Sequence, residues 1–322
     1  MTSRTCSSAA IALLIALLTA CDSDVAPRAG GDYFFSLYGV FNPHADTQAV
    51  IVFPVQSTLA EVPTDLGVLV VSEELGSSVR TTWTDSLVSS PDGPVHVFWS
   101  DFRAKFGTDY RLTVASERHE GRRSEVLVAV PGLAAIDVRP LQDNLHLTQT
   151  VFVGPDTERL NAVTVRYVVQ AKLPAAWRVY PTLVPGESGL QPVDPPPGDS
   201  LVVQTLFVPI SYDHAVEPAA DGMQFQIDYH SDAAEIWRRL ELRGRRDRSF
   251  GVRLLGIELS LTVSSPDWVP PGGTFDREVL IQPGTMSNVE GGFGFVGSGY
   301  ALSAVLHLGE SEQERLGFRV IP

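Results

Sequence analysis

The sequence predicts a mainly β protein, and three observations support this fold class. Short runs of β-branched and aromatic residues recur from residue 33 to the C-terminus. Turn-forming residues separate these runs, and the chain contains 27 Gly and 23 Pro. Residues 232–240 have the spacing of an amphipathic helix, and no period of about 20–50 residues indicates a solenoid or a propeller.

The N-terminal part of the chain predicts an immunoglobulin-like β-sandwich over residues 32–131. Seven strands in about 100 residues are the number and spacing of that fold. The predicted strands are 33–41, 49–55, 67–74, 79–88, 94–101, 110–117 and 123–131. Tyr110 follows Gly107 in a segment that fits either a tyrosine corner, in which the hydroxyl ties a loop crossing, or a plain strand tyrosine.

Residues 136–322 predict a second, larger β-rich domain with one short helix. A proline-rich loop at 192–200 interrupts its strands because proline cannot pair in the middle of a sheet. Asp232 and Glu235 fit a capping box at the start of the helix. The predicted strands are 146–153, 162–173, 200–212, 223–230, 250–265, 277–283, 299–308 and 315–321. The apolar face of the helix is formed by Ala233, Ile236, Trp237 and Leu240.

The first 20 residues predict an export signal. Arg4 supplies a positive charge, and the apolar run from Ala9 to Ala20 is shorter than the roughly 20 residues that a membrane-spanning helix needs. The run ends in Leu-Thr-Ala-Cys at 18–21, which resembles the lipobox of bacterial lipoproteins. That resemblance implies cleavage before Cys21 and acylation of Cys21, with residues 21–31 as a tether. An ordinary cleaved signal with an incidental cysteine is the alternative.

Cysteine content and charge exclude several classes of function. The chain has two cysteines, Cys6 and Cys21, so none remains after the anchor position for a disulfide, a thiolate nucleophile or a cysteine metal site. The net charge of -14 argues against a general nucleic-acid-binding protein, which needs a basic face.

One basic segment, residues 238–248, stands out on this acidic chain. It contains Arg238, Arg239, Arg243, Arg245, Arg246 and Arg248. This arginine segment fits a patch for an anionic partner, such as lipid headgroups, lipopolysaccharide phosphates or an acidic protein. A solvated helix end, with arginines complementing the helix dipole, is the plainer interpretation.

A glycine-rich segment near the C-terminus, Gly292 to Gly297, matches the G-x-G-x-x-G spacing of dinucleotide-binding turns. That chemistry requires the glycines to lie between a strand and a helix of a βαβ unit. The residues after Gly297 read as further strands, so we expect a bulged or bent strand with no nucleotide and no cofactor.

No catalytic or metal-binding motif is present among the seven histidines: H-E-x-x-H and G-x-S-x-G are both absent from the sequence. The best metal or acid–base candidate is the set Asp228, His230 and Asp232, which alternate along a predicted strand, with Asp213 and His214 on a neighbouring strand. A solvated strand face that leads into the helix cap is the alternative. We therefore predict no catalytic residues, no metal and no cofactor.

Four segments of the chain resemble a group of uncharacterised exported bacterial lipoproteins, catalogued only as a domain of unknown function. They are "GVFNPHADTQAVIVFPV" (39–55), "HVFWSDFRAKFGTDYRLTV" (96–114), "LLGIELSLTVSSPDW" (254–268) and "NVEGGFGFVGSG" (288–299). The resemblance covers most of residues 33–300. It implies a lipid-anchored, two-domain β protein of the cell envelope and implies no catalytic residues.

Together these observations predict a lipid-anchored envelope protein that acts as a non-enzymatic binding or assembly module, for example as an accessory of an outer-membrane uptake complex. Its predicted partners are the membrane, through the lipid at Cys21, and an envelope protein. The alternatives are an envelope hydrolase built from Asp213, Asp228 and His230, and a structural envelope protein without a small ligand. Acidic residues directly after Cys21 fit either inner-membrane retention or export to the surface, and the resemblance favours the outer membrane.

Overall fold

The computed structural model describes residues 33–55, 63–90, 93–142, 145–175, 182, 200–242, 251–268 and 287–319. Within these ranges the chain is mainly β, which confirms the predicted fold class. Its strands form sheets of eight, four and five strands. The helices in the described ranges are all too short or too polar to cross a membrane.

The N-terminal sandwich contains eight strands. They are β1 (Phe35–Phe41), β2 (Gln48–Pro54), β3 (Val68–Glu74), β4 (Arg80–Thr82), β5 (Thr84–Ser90), β6 (Gly93–Ser100), β7 (Asp109–Ser116) and β8 (Arg123–Ala129). The predicted strand 79–88 is divided into β4 and β5, because the chain changes sheets at Trp83. That indole is 5% exposed, and its Nε1 donates a hydrogen bond to the Ser72 hydroxyl at 3.0 Å.

The two layers of this sandwich have the strand orders β1-β2-β6-β5 and β8-β7-β3-β4. Alternate residues of both layers point inward and form one hydrophobic core, which includes Leu37, Phe41, Val52, Phe98, Leu112 and Val126. The arrangement is that of an immunoglobulin-like sandwich. Tyr110 forms the tyrosine corner: the backbone N–H of Lys105 donates to its hydroxyl at 3.0 Å.

The rest of the described chain builds a second sandwich. Its first strands are β9 (Ala135–Val138), β10 (Thr148–Gly154), β11 (Leu160–Pro174), β12 (Leu201–Ser211), β13 (Glu217–Ala219) and β14 (Gly222–Asp228). Then come helix α1 (Tyr229–Leu242), β15 (Arg253–Ser264), β16 (Val289–Glu290), β17 (Gly292–Leu306) and helix α2 (Glu310–Arg315). Sheet β13-β14-β10-β9 and strands β11, β12 and β15 share one core with the apolar face of α1.

Strand β17 joins the two sandwiches. Its first half pairs in parallel with β1, with Phe35 opposite Gly292, and its second half pairs antiparallel with β15, with Ser260 opposite Ser303. One sheet of order β12-β11-β15-β17-β1-β2-β6-β5 therefore runs through the whole molecule. Residues 289–298 lie within the N-terminal sandwich in space, although the sequence division places them in the second domain.

Both helices differ in part from the prediction. Helix α1 begins at Tyr229, and the Asp228 carboxylate caps it by accepting from the backbone N–H of Ser231 at 3.0 Å. Asp232 is thus inside the first turn, and it is not the cap residue that the sequence indicated. The predicted strand 315–321 is wrong where it is described, because Arg315 ends helix α2 and the chain then turns at Gly317 with φ +82°.

Candidate functional site

Asp213, one of the predicted acid–base residues, stabilises a chain reversal. It lies in a single 3-10 turn after β12. Its Oδ1 accepts from the backbone N–H of Val163 at 2.7 Å, and its Oδ2 accepts from the Ser211 hydroxyl at 3.1 Å. Both carboxylate oxygens are therefore occupied by groups that hold β11 against the end of β12.

Asp228 and His230 lie at the start of α1 and have different surroundings. Asp228 caps the helix through Ser231, and its Oδ2 lies 3.4 Å from Nδ1 of His146. His230 is exposed in the first turn. The structure therefore pairs Asp228 with His146, a residue that the sequence did not single out. Across the described ranges no group of three or more His, Cys, Asp or Glu residues is arranged to hold a metal ion.

A buried polar cluster lies beneath α1, centred on Asp232. This carboxylate is 4% exposed and accepts hydrogen bonds on Oδ2 from the hydroxyls of Tyr167 and Tyr212, the latter at 2.8 Å. The hydroxyl of the neighbouring Tyr229 donates to Oε1 of Gln149 at 2.5 Å. Three tyrosines and one carboxyl group are thus ordered in the core between the helix and strands β10, β11 and β12.

Burial dominates the electrostatics of this cluster. The pKa of Asp232 is raised to about 6, mainly by burial and in smaller part by the negative charge of Asp228. The hydrogen bonds from Tyr167 and Tyr212 and the positive charge of Arg239 act in the opposite direction. Burial also raises the pKa of all three tyrosines, so they stay protonated and act as donors. The one group here that changes charge near neutral pH is the Asp232 carboxyl group.

The sequence carried a signal for this cluster that the capping-box interpretation overrode. On a helix that begins at Tyr229, residues three and four apart share one face. Tyr229, Asp232, Ala233 and Ile236 have that spacing, and all four are buried. The pattern places a carboxylate in the middle of the apolar face, which predicts a buried acid with dedicated donors.

Two residues of the arginine segment lie in α1 and are bound to Glu235. Arg238 donates to Glu235 from Nε at 2.7 Å, and Arg239 does so from Nε at 2.6 Å. These bonds, that of Arg238 first, lower the pKa of Glu235 to about 2. Arg239 is 7% exposed and also donates to the carbonyl oxygen of Pro209 at 2.8 Å, so it is a structural residue of the core. Arg243, Arg245, Arg246 and Arg248 lie outside the described residues.

The glycines of the nucleotide-like segment allow β17 to approach β1 closely. A Cβ atom on Gly292 would lie 2.3 Å from the carbonyl oxygen of Phe35, and one on Gly294 would lie 2.2 Å from that of Leu37. Gly294 also has φ +93°, a backbone conformation that residues other than glycine rarely adopt. At both glycines the backbone of β1 occupies the position that a Cβ atom would need.

One small cavity, of about 160 Å³, opens beside the tyrosine corner. Its lining includes Ser72, Phe102 and Tyr110, together with Lys105 and Glu74. The Lys105 ammonium lies 2.9 and 2.8 Å from the two oxygens of Glu74. The third charged group of the lining, Arg103, donates to Oδ1 of Asp46 at 2.6 Å. Each charge of the lining therefore already has a partner, which leaves little drive to bind a charged ligand.

The terminal strands of the three sheets differ in how their outer edges are protected. In β12, Pro209 interrupts the edge and Thr182 forms a bridge with Phe207. Four other terminal strands are only two to four residues long: β4, β9, β13 and β16. Strand β5 has seven residues, contains no proline, lysine or arginine, and pairs only with β6 among the described strands. It is the longest edge left open in the described part of the chain.

These features define a mainly β protein of two sandwiches joined by a continuous sheet. Asp213, Asp228 and Asp232 are hydrogen-bonded internally, and one long strand edge is open among the described strands. No protein-family model matches the chain, and no curated protein matches it in sequence. The resemblance to the uncharacterised lipoprotein group stays a prediction.

Proposed function

We propose that this chain is a lipid-anchored module of the bacterial cell envelope that binds or assembles with a protein partner. The observation that carries the proposal is the use of its acidic groups. Asp213 and Asp228, the residues on which a hydrolytic site would depend, hold backbone amides and helix α1 in place. These bonds give both carboxylates a structural role, which supports a binding module over a hydrolase.

The architecture also supports binding rather than catalysis. Because β17 belongs to both sandwiches, the two units are fixed by one sheet and present their outer faces and edges in a constant geometry. A rigid β scaffold of this kind suits recognition by surfaces and strand edges. The anchor at Cys21 is supported by the sequence alone, since residues 1–32 lie outside the described ranges.

The lipid anchor is tested by mass spectrometry of the chain purified from bacterial membranes. We expect a diacylated or triacylated N-terminal Cys21, and a Cys21→Ser variant that is recovered in the soluble fraction. An unmodified Cys21, or a Cys21→Ser variant that stays membrane-bound, would contradict the anchored state.

The choice between binding and hydrolysis needs a second experiment. We expect affinity purification from detergent-solubilised envelopes to recover a partner in near-equal amount, and reciprocal tagging of that partner to recover this chain. In parallel, ester, glycoside and phosphoester substrates should show no turnover that Asp213→Asn or His230→Ala abolishes. Turnover that both substitutions abolish would establish the hydrolase instead.

A further inference from the structure

Strand β5 ends the eight-stranded sheet, and no described residue pairs with its outer edge. Leu87 and Val88, at its middle, are 46% and 45% exposed. An open edge presents unpaired N–H and C=O groups that can extend the sheet with another strand. Among the described residues, none of the features that shorten, interrupt or cover the other terminal strands protects β5.

We propose that β5 pairs antiparallel with β5 of a second copy of this chain. The two-fold axis that relates the copies lies midway between their Leu87 residues, which face each other. Leu87 is the midpoint of Thr84–Ser90, so this register uses all seven residues of both strands. The two eight-stranded sheets then form one continuous sheet. A two-fold axis of this kind makes the interface self-complementary, as in most dimers of identical chains.

The side chains of β5 fit this register. Residues that face each other across antiparallel strands lie on the same face of the sheet and contact one another. In the proposed pair, Leu87 faces Leu87, Val88 faces Ser86, and Asp85 faces Ser89. The interface therefore joins apolar side chains at its centre and places a hydroxyl, not a second carboxylate, opposite each Asp85.

The single acidic side chain of β5 is already engaged within its own chain. The Asp85 carboxylate lies 2.8 Å from Nδ1 of His96, whose ring is fully buried. Nε2 of His96 lies 2.7 Å from the carbonyl oxygen of Pro63, which fixes the orientation of the ring. Asp85 therefore points back toward β6 and leaves the backbone edge of β5 free of its carboxylate.

The proposed interface predicts a particular dependence of dimerisation on salt concentration. Each copy has a net charge of -14, so two copies repel each other at a distance, whereas each β5 carries one ionisable side chain, Asp85, which faces a serine in the proposed register. The repulsion is screened over about 10 Å at 0.1 M ionic strength. We expect dimerisation to strengthen several-fold between low and moderate salt, the opposite of an interface held by opposite charges.

The first test is disulfide trapping of the full chain purified in detergent. The chain has only Cys6 and Cys21, so Leu87→Cys adds one thiol in the folded body. We expect mild oxidation of this variant to give a covalent dimer in high yield. Leu255→Cys is the matched control, because Leu255 is also a leucine 46% exposed in the same sheet but lies on an interior strand. That variant and the unsubstituted chain should stay monomeric on a non-reducing gel.

The second test measures the dimer without a cross-link. Sedimentation of the full chain over a concentration series should show a monomer–dimer equilibrium, which Leu87→Lys weakens about tenfold or more, because two lysines would face each other. Leu255→Lys should leave it unchanged, and equal melting temperatures would show that both variants are folded. The proposal would be overturned if the chain is monomeric at every concentration or if Leu87→Lys leaves the dimerisation constant unchanged. Equal cross-linking of Leu87→Cys and Leu255→Cys would overturn it as well. Selective cross-linking of Leu87→Cys to a different protein would also overturn it.

Discussion

Replacing Asp232 with asparagine should remove a specific part of the pH dependence of stability. In the folded chain the pKa of Asp232 is about 6, against an ordinary value of 3.8, chiefly because the group is buried. Between these two pH values the folded chain holds a proton that the unfolded chain has released. The free energy of unfolding therefore falls as pH rises through this window. A pKa difference of about 2 corresponds to about 3 kcal/mol.

Asparagine has nearly the shape of the protonated acid, and its carbonyl oxygen can still accept from Tyr167 and Tyr212. It does not titrate, so the free energy of unfolding of Asp232→Asn relative to the unsubstituted chain should increase by about 2 kcal/mol from pH 4 to pH 6.5, the part of the full difference that falls in this range. Urea unfolding at half-unit pH intervals measures this difference. The constant cost of the new amide group cancels, because only the change with pH is used.

Gln149→Leu is the matched control for this measurement. It removes the acceptor of Tyr229 in the same cluster, so it should lower the free energy of unfolding by about 1–3 kcal/mol. Because no ionisable group is removed, that loss should be equal at every pH in the window. A flat profile for Asp232→Asn, within about 1 kcal/mol, would refute the reasoning, since it would mean that the folded chain carries this carboxylate charged.

Three further predictions concern other parts of the fold. Gly294→Ala should lower the free energy of unfolding by at least about 2 kcal/mol, measured by urea titration, because the new Cβ would clash with the Leu37 carbonyl oxygen and residue 294 has a positive φ. NAD and FAD should not shift the melting temperature of the unsubstituted chain. Tyr110→Phe should cost about 1–2 kcal/mol, because the Lys105 N–H loses its acceptor; unchanged stability would argue against the corner. A reducing agent should leave the melting temperature of residues 22–322 unchanged, since no cysteine follows Cys21.

The sequence was informative where local chemistry decides structure. Six of the seven predicted N-terminal strands appear at nearly their predicted positions, because β-branched runs between turn residues have few alternatives. The seventh was divided at Trp83, where burial of a single indole determines the change of sheets. The face of α1 was also correct at Ala233, Ile236 and Leu240, which are buried.

The pairing of strands that are distant in the chain could not be predicted from the sequence. Nothing local in Gly292–Leu306 indicates that one half pairs with β1 and the other with β15, because both partners are distant in the chain. The same limit applies to Asp232, whose donors Tyr167 and Tyr212 come from other strands. A polar residue near a helix start is usually a cap; the helix-face spacing indicates that Asp232 is buried, but it does not indicate which residues donate to it.

The shared strand β17 also has a consequence for the order in which the molecule can form. Phe35 leaves the ribosome long before its strand partner Gly292 is synthesised. Until then β1 has an exposed edge, and closing so long a loop makes the contact slow to form. Such an edge invites pairing with the wrong strand while the chain is incomplete. The N-terminal sandwich, although made first, is therefore expected to be among the last parts to reach its final state, and a chaperone that shields β1 would raise the yield of folded protein.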